Sequence, residues 1–315
     1  MFLSENYRSQ VLTLAASIAK DLSVECYLVG GAVRDALGGI DLENIRDFDF
    51  VLSANLDSFI NLFQEKLIKL DSERKRLLNP HKISKYPKYH TAKVGEYDFS
   101  LFRRETYSGI GSMPVISNAQ SIEEDLRRRD FTVNALGVSL SSDFINDDFN
   151  NLIKDHRLFI DPCGGLLDFN LKKLRFIHDQ SLYDDPVRLL RGIRLKIRLG
   201  YEFDLRSVEM MDFAIKNKFL EKVPNTRYFE EIKKIFMEKD ISQIFNLINS
   251  YELLDQIFPG VDISELNFDV LSDISSLSVE ERMLGLLSNL DRVKLLEALS
   301  RYSFAGSSIH KFVTL

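Results

Sequence analysis

Apolar residues recur along the first 140 positions with two different periods. In the stretch 4–21, Val11, Leu12, Ala15, Ile18 and Ala19 fall at helical spacing, and a second amphipathic helix is predicted over 57–70. Short runs rich in β-branched and aromatic residues predict strands over 25–29, 46–52, 91–94, 97–102 and 132–140. Two strands follow in close succession between 91 and 102, which favours a mixed sheet with helices packed on it over strict β-α-β repetition. The segment 105–121, ETYSGIGSMPVISNAQS, reads as an exposed loop rich in Gly, Ser and Pro. From about 150 onward the strand pattern disappears. DPCGGLLDF at 161–169 is a turn, followed by predicted helices over 171–177, 186–199, 205–217, 225–237 and 241–248 and further helical stretches to the end. The pattern is that of an α/β head followed by an all-helical portion.

Composition narrows the class. At 315 residues, 45% hydrophobic and 28% charged, the chain is an ordinary globular sequence with ample core. No run approaches the length of apolar residues that crosses a bilayer. Cys26 and Cys163 have no metal-type spacing and the five histidines are scattered, so a structural disulfide or zinc site is not expected; a reducing cytoplasm fits. A net charge of −6 argues against a nucleic-acid partner, yet the distribution matters more than the sum. Residues 71–93 carry seven Lys/Arg against two acids, Arg127–Arg129 form a triplet, and Arg188, Arg191, Arg194, Lys196 and Arg198 lie within eleven residues.

Candidate chemistry starts at LVGGAVRD and DFDFVL. On a strand, Asp47 and Asp49 point to one side while Phe48 and Phe50 point to the other. Two carboxylates so placed repel unless a cation lies between them, and a histidine-free oxygen set favours Mg²⁺ shared with substrate phosphates. A lone Asp-x-Asp is more often a solvated strand end. Asp98, in YDFSLF, is a third acid on a strand with apolar alternate residues; beside Asp47 and Asp49 it would complete a two-metal set. Gly30-Gly31, between a strand and a helix-like VRDAL, allows backbone N–H groups to approach phosphates, and Arg34 would add a bidentate contact.

The ordered series LVGGAVRD, DFDFVL, EEDLRRRDFTVNALG and DDPVRLLRGIRLKIRLGYEF resembles the class II tRNA nucleotidyltransferases and bacterial poly(A) polymerases, over residues 24–236. The resemblance implies an α+β fold, with a polymerase-β-like nucleotidyltransferase head over 1–140, a helical neck over 141–236 and a helical body over 237–315 that binds tRNA. It implies Mg²⁺ on Asp47 and Asp49 with Asp98 as third carboxylate, triphosphate contacts from Gly30, Gly31 and Arg34, and phosphate and ribose contacts from Arg128, Arg129 and Asp130. In this pattern Asn134 supports the loop. Asp185, Arg188, Arg191 and Arg194 follow at steps of three, on one side of a helix. Asp185 and Arg188 would choose cytosine or adenine by their Watson–Crick edges without a template. An isolated D-x-x-R is more often an intrahelical ion pair; in series with the other motifs the selecting role is preferred.

The implied partners are the tRNA 3′ end, CTP and ATP. Three positions depart from the pattern: Asp184 replaces a Glu, Leu195 a Phe, and Thr226 the acid of Glu-Arg-x-x-x-Glu, where Arg227 and Glu231 match. The undeleted segment 105–121 weighs against a CC-only enzyme, and its low charge leaves A-addition open. A body this short suggests that no separate tail domain follows, and the ending SSIHKFVTL lacks the basic arm of poly(A) polymerases. A catalytically reduced RNA-binding relative is the reading of another class. It would have no need of the three carboxylates.

Overall fold

Helix α1 (Tyr7–Leu22) starts where the Asn6 side chain accepts the Ser9 N–H, and it ends on Ser23 in the left-handed region. It buries Val11, Leu12, Ala15, Ile18 and Ala19, the face predicted by their spacing. The computed structural model describes residues 6–45, 47–73, 82–140, 159–270, 277–300 and 302. These form two compact units: Met1–Thr106 with Pro114–Ile177, and Tyr107–Met113 with His178–Leu315.

The first unit continues through β1 (Cys26–Val29), α2 (Gly31–Leu37), β2 (Phe48–Leu52), α3 (Leu56–Glu73), β3 (Ile83–Tyr86), β4 (Thr91–Val94) and β5 (Tyr97–Leu101). Then come β6 (Arg103–Thr106), β7 (Val115–Asn118), α4 (Ile122–Arg127), β8 (Gly137–Ser139), β9 (Phe159–Ile160), the helix Gly165–Asn170 and β10 (Lys173–Leu174). The main sheet runs β3-β4-β5-β2-β1-β8-β9. Its β2–β5 pair is parallel and the other described pairs are antiparallel, so the sheet is mixed, as expected.

One face of this sheet presents Leu28, Phe48, Phe50, Val94, Tyr97 and Phe99 to α1 and α3. Phe50 stacks on Phe99 at 5.0 Å between centroids, and Phe63 of α3 meets Phe99 edge-on at 4.8 Å. Strand alternation turns Val51 to the other face, where it packs with Tyr27, Val29 and the Ile122 and Leu126 side chains of α4.

Four expectations change. Residues 105–121 are no loop throughout: β6 and β7 pair antiparallel, Thr106 opposite Val115, as the β-branched Val115 and Ile116 favour. Strand signals do not end at 150, because β9 pairs with β8 and extends the head beyond residue 140. Residues 171–177 are not helical. The preceding helix stops at Leu171, Lys172 takes a φ of 52°, and Phe176 bridges Phe131. The predicted strand over 132–140 also starts late, since 132–134 form a 3-10 turn.

In the second unit the helix Arg188–Leu199 packs on Asn225–Phe236 and on Ile241–Ser250. Leu189, Ile193, Ile232, Phe236, Ile244 and Phe245 are buried there. From His178 onward the stretch read as neck shares one compact unit with the stretch read as body, while the chain up to Ile177 belongs to the first unit apart from Tyr107–Met113. The basic stretch 71–93 lies outside the described residues over 74–81, as does the whole of the terminal SSIHKFVTL. Among the described residues no helix is long and apolar enough to cross a membrane.

Candidate active site

Strand β1 delivers the chain to Gly30, whose φ of 77° is open to glycine at no steric cost. Its N–H donates to the Leu136 carbonyl at 2.9 Å. A Cβ built there would lie 3.0 Å from Arg129 Nη1, 3.6 Å from Asp49 Oδ2 and 3.8 Å from the Asn134 carbonyl oxygen. Three predicted residues, from two other motifs, thus meet around this glycine. Helix α2 has only seven residues, and its Arg34 is buried. Arg34 donates from Nε (2.9 Å) and Nη2 (2.6 Å) to Asp35, and from Nη1 to Asn134. The arginine expected at the phosphates therefore holds Asn134.

The Arg128–Asn134 loop is built on buried carboxylates. Asp125 accepts from Arg128 Nε (3.0 Å) and Nη2 (2.8 Å), Arg129 Nη2 (3.3 Å) and the Arg103 N–H (3.2 Å). Burial would raise its pKa; Arg128 and Arg129 outweigh that and hold it below the usual carboxylate range. Glu105 pairs with Arg128 at 2.8 Å. Asp130 Oδ1 accepts the Phe131 N–H (2.7 Å) and Asn134 Nδ2 (3.0 Å), so it closes the loop on itself. Thr132 donates to Asp168, which Arg175 also grips. Asp125, Glu105 and Asp168 were not singled out from the sequence. Asp125 had a signal, since it stands three and four residues before Arg128 and Arg129 on a helical stretch; Asp168 had none short of the fold.

Parallel pairing sets Asp49 directly beside Asp98. Asp47 is exposed just before β2, on the side of Asp49 by alternation. The third acid is engaged: Lys93, opposite Asp98 across β4–β5, donates to its Oδ2 at 2.9 Å. Burial would lower the Lys93 pKa, but Asp98 first and then Asp47 and Asp49 raise it. The ammonium thus stands in the field of all three acids. Among the described residues no group of three or more His, Cys, Asp or Glu side chains is poised to hold a metal. Two neighbouring aspartates completed by substrate phosphates do fit a hard divalent cation.

In the second unit Asp185 does not ride the helix of Arg188. It precedes Pro186 with φ −139° and ψ 90°, as a residue before proline prefers, and its Oδ1 accepts the Val187 N–H at 3.2 Å. Arg188 is buried and donates to the Ser181 carbonyl at 3.2 Å. Arg194 donates to Glu231 at 2.8 Å and to Glu238 at 2.9 Å, while Arg191 reaches Glu231 at 3.3 Å. Burial would raise the Glu231 pKa, and the Arg191 and Arg194 charges hold it low. Arg227 pairs with Asp185 at 2.9 Å and donates to the Ser112 carbonyl at 3.1 Å.

A family model described as "Poly A polymerase head domain" matches residues 26–175, which span every head motif above. The head belongs to the poly(A) polymerase head-domain family. A second model, described as a probable RNA and SrmB-binding site of polymerase A, matches residues 214–264. The A-adding tRNA nucleotidyltransferase of Aquifex aeolicus is 33% identical over 246 residues, 77% of this chain and 27% of that protein. The Thermotoga maritima CCA-adding enzyme, solved with tRNA, superposes with a TM-score of 0.68 at 25% identity, over 96% of this chain and 68% of that one. A tRNA-processing enzyme solved with CTP gives 0.65 at 27%, over 96% and 78%. Other curated relatives, 26–28% identical, are named multifunctional CCA protein, poly(A) polymerase I and CC-adding tRNA nucleotidyltransferase. The chain spans between about a quarter and a half of the length of the curated relatives it matches.

Proposed function

We propose that the protein is a tRNA nucleotidyltransferase that adds CMP and/or AMP to the 3′ end of tRNA without a template. CTP and ATP are the donors and pyrophosphate is released. The observation that carries the reading is the meeting of Asp49, Arg129 and Asn134 around Gly30, with Asp98 in register beside Asp49. The relatives' names point the same way.

In this reading Asp47 and Asp49 hold divalent cations, Mg²⁺ by the hardness of the donors, with Asp98 as third carboxylate. When bound, such ions neutralise a triphosphate and favour deprotonation of an attacking hydroxyl. The RNA 3′-oxygen bonds to the α-phosphorus, the α–β bridging bond breaks, and its electron pair leaves with pyrophosphate. Arg129 supplies fixed positive charge to the phosphates, with Arg128 behind it; Gly30 and Gly31 let the backbone approach them. Asp130 keeps the loop in shape and suits a ribose 2′-hydroxyl, while Arg34 acts through Asn134. Asp185 and Arg188 select the base. Their groups must exchange present partners, Arg227 and the Ser181 carbonyl, for the base edge. Arg191 and Arg194 hold the selecting helix through Glu231.

A-addition alone is the second reading, favoured by the Aquifex aeolicus relative's name and the low charge of residues 105–121. The test is incubation with tRNAs ending before CCA, after C and after CC, each with CTP or ATP alone. Full CCA addition uses all three; A-addition uses only the last, with ATP. Asp49→Ala is expected to abolish incorporation while tRNA binding persists. Normal incorporation by that variant would sink the assignment.

A further inference from the structure

Register places three charged residues in a row across neighbouring strands: Lys93 on β4, Asp98 on β5 and Asp49 on β2. Neighbouring strands lie about 4.8 Å apart, so the row brings the Lys93 stem within reach of both acids. Its ammonium bonds Asp98 at 2.9 Å, with both side chains roughly half exposed. The acids' other neighbours differ: Asp49 lies near Gly30 and Arg129, whereas Asp98 is on the far side, against β4.

We infer that Lys93 is a positioning residue, a built-in counter-ion that holds Asp98 away from incoming cations and sets how strongly the nucleotide-free protein binds divalent metal. The inference rests on the reading that Asp47 and Asp49 hold those ions. With Lys93 in place the three acids and the ammonium together carry a charge of −2, and Asp98 is committed to the ammonium; Arg129, near Asp49, is the same in either case. Without it the charge is −3 and Asp98 is released to join Asp47 and Asp49. Weak binding by the free protein is useful in a site whose remaining ligands are substrate phosphates, because the ion then enters with the nucleotide.

The sign separates this role from a merely structural one. Loss of a prop lowers metal affinity; loss of a counter-ion raises it. Mn²⁺ is titrated into the nucleotide-free full chain and followed by electron paramagnetic resonance, with thermal melting in parallel. Lys93→Met is expected to bind Mn²⁺ roughly 3- to 30-fold more tightly, the span expected for one charge near a divalent ion in a half-exposed site. Its melting temperature should rise more on adding Mn²⁺ than the wild type's. Lys93→Arg should stay near wild type, and Lys93→Met with Asp98→Asn, which restores the net charge, should return towards it. Unchanged or weaker Mn²⁺ binding by Lys93→Met overturns the inference. Asp49→Asn is the control: if it fails to weaken Mn²⁺ binding, the metal-site reading falls, whereas weakening there with no change in Lys93→Met removes the counter-ion role alone.

Discussion

Arg128 and Arg129 are both held by the buried Asp125 carboxylate. A buried carboxylate with two guanidinium partners is costly to break on one side, since the partners stay in place uncompensated. Asp125→Asn should therefore lower stability by on the order of 3 kcal/mol at neutral pH, read by denaturant titration. The pH dependence follows from the depressed pKa. The unfolded carboxyl titrates near 3.9, so the contribution is complete above about pH 5 and fades as pH falls through the lower folded value. The gap between wild type and Asp125→Asn should thus close in acid; a gap that widened would contradict the assigned ion pairs. At this scale the meeting of Gly30, Asp49 and Arg129 was legible in their motifs. The same was not true of Arg34 or Lys93, whose partners lie across the fold and whose charge alone says nothing of what it faces.

The helix Gly165–Asn170 looks remote from the chemistry, yet it backs the turn that carries Asn134. A Cβ on Gly165 would fall 2.2 Å from the Thr132 carbonyl oxygen, a distance only backbone movement can relieve. Gly165→Ala should cost roughly 1–3 kcal/mol, the usual range for overpacking, and raise the KM for nucleotide as the 132–134 turn is pushed away. A variant as stable as wild type would mean the two segments are not so closely packed. Element positions were legible wherever one periodicity ran long enough, as in α1, α3 and the helix Arg188–Leu199. They were misread where local signals were short. Gly, Ser and Pro in 105–121 hid a hairpin of only four residues a side, and the step of three from Asp185 to Arg188 concealed the corner that Pro186 imposes.

On the whole-molecule scale, the division into an α/β part and a helical part was visible in the chain, but its boundary was not one linker. Tyr107–Met113 leaves the head hairpin and belongs to the second unit. There the Gly111 N–H donates to the Tyr183 carbonyl at 3.1 Å, and Ser112 receives Arg227. Composition could not reveal this, because the destination of a small polar segment is written in residues 70 to 120 positions later.

The mixed sheet also has a history. Strands β4 and β5 are joined by a two-residue turn with Gly95 at φ 60°, a contact the chain makes early because little loop entropy opposes it. Strand β2 reaches β5 in parallel only after the whole α3 crossover has been ordered, which is slow. Gly95→Ala should accordingly slow refolding, whereas Val51→Ala in β2 should chiefly speed unfolding, as stopped-flow measurements would record; the opposite partition would reverse the order. In that order Lys93 and Asp98 have met before Asp49 arrives, so the growing head never has to gather three bare carboxylates.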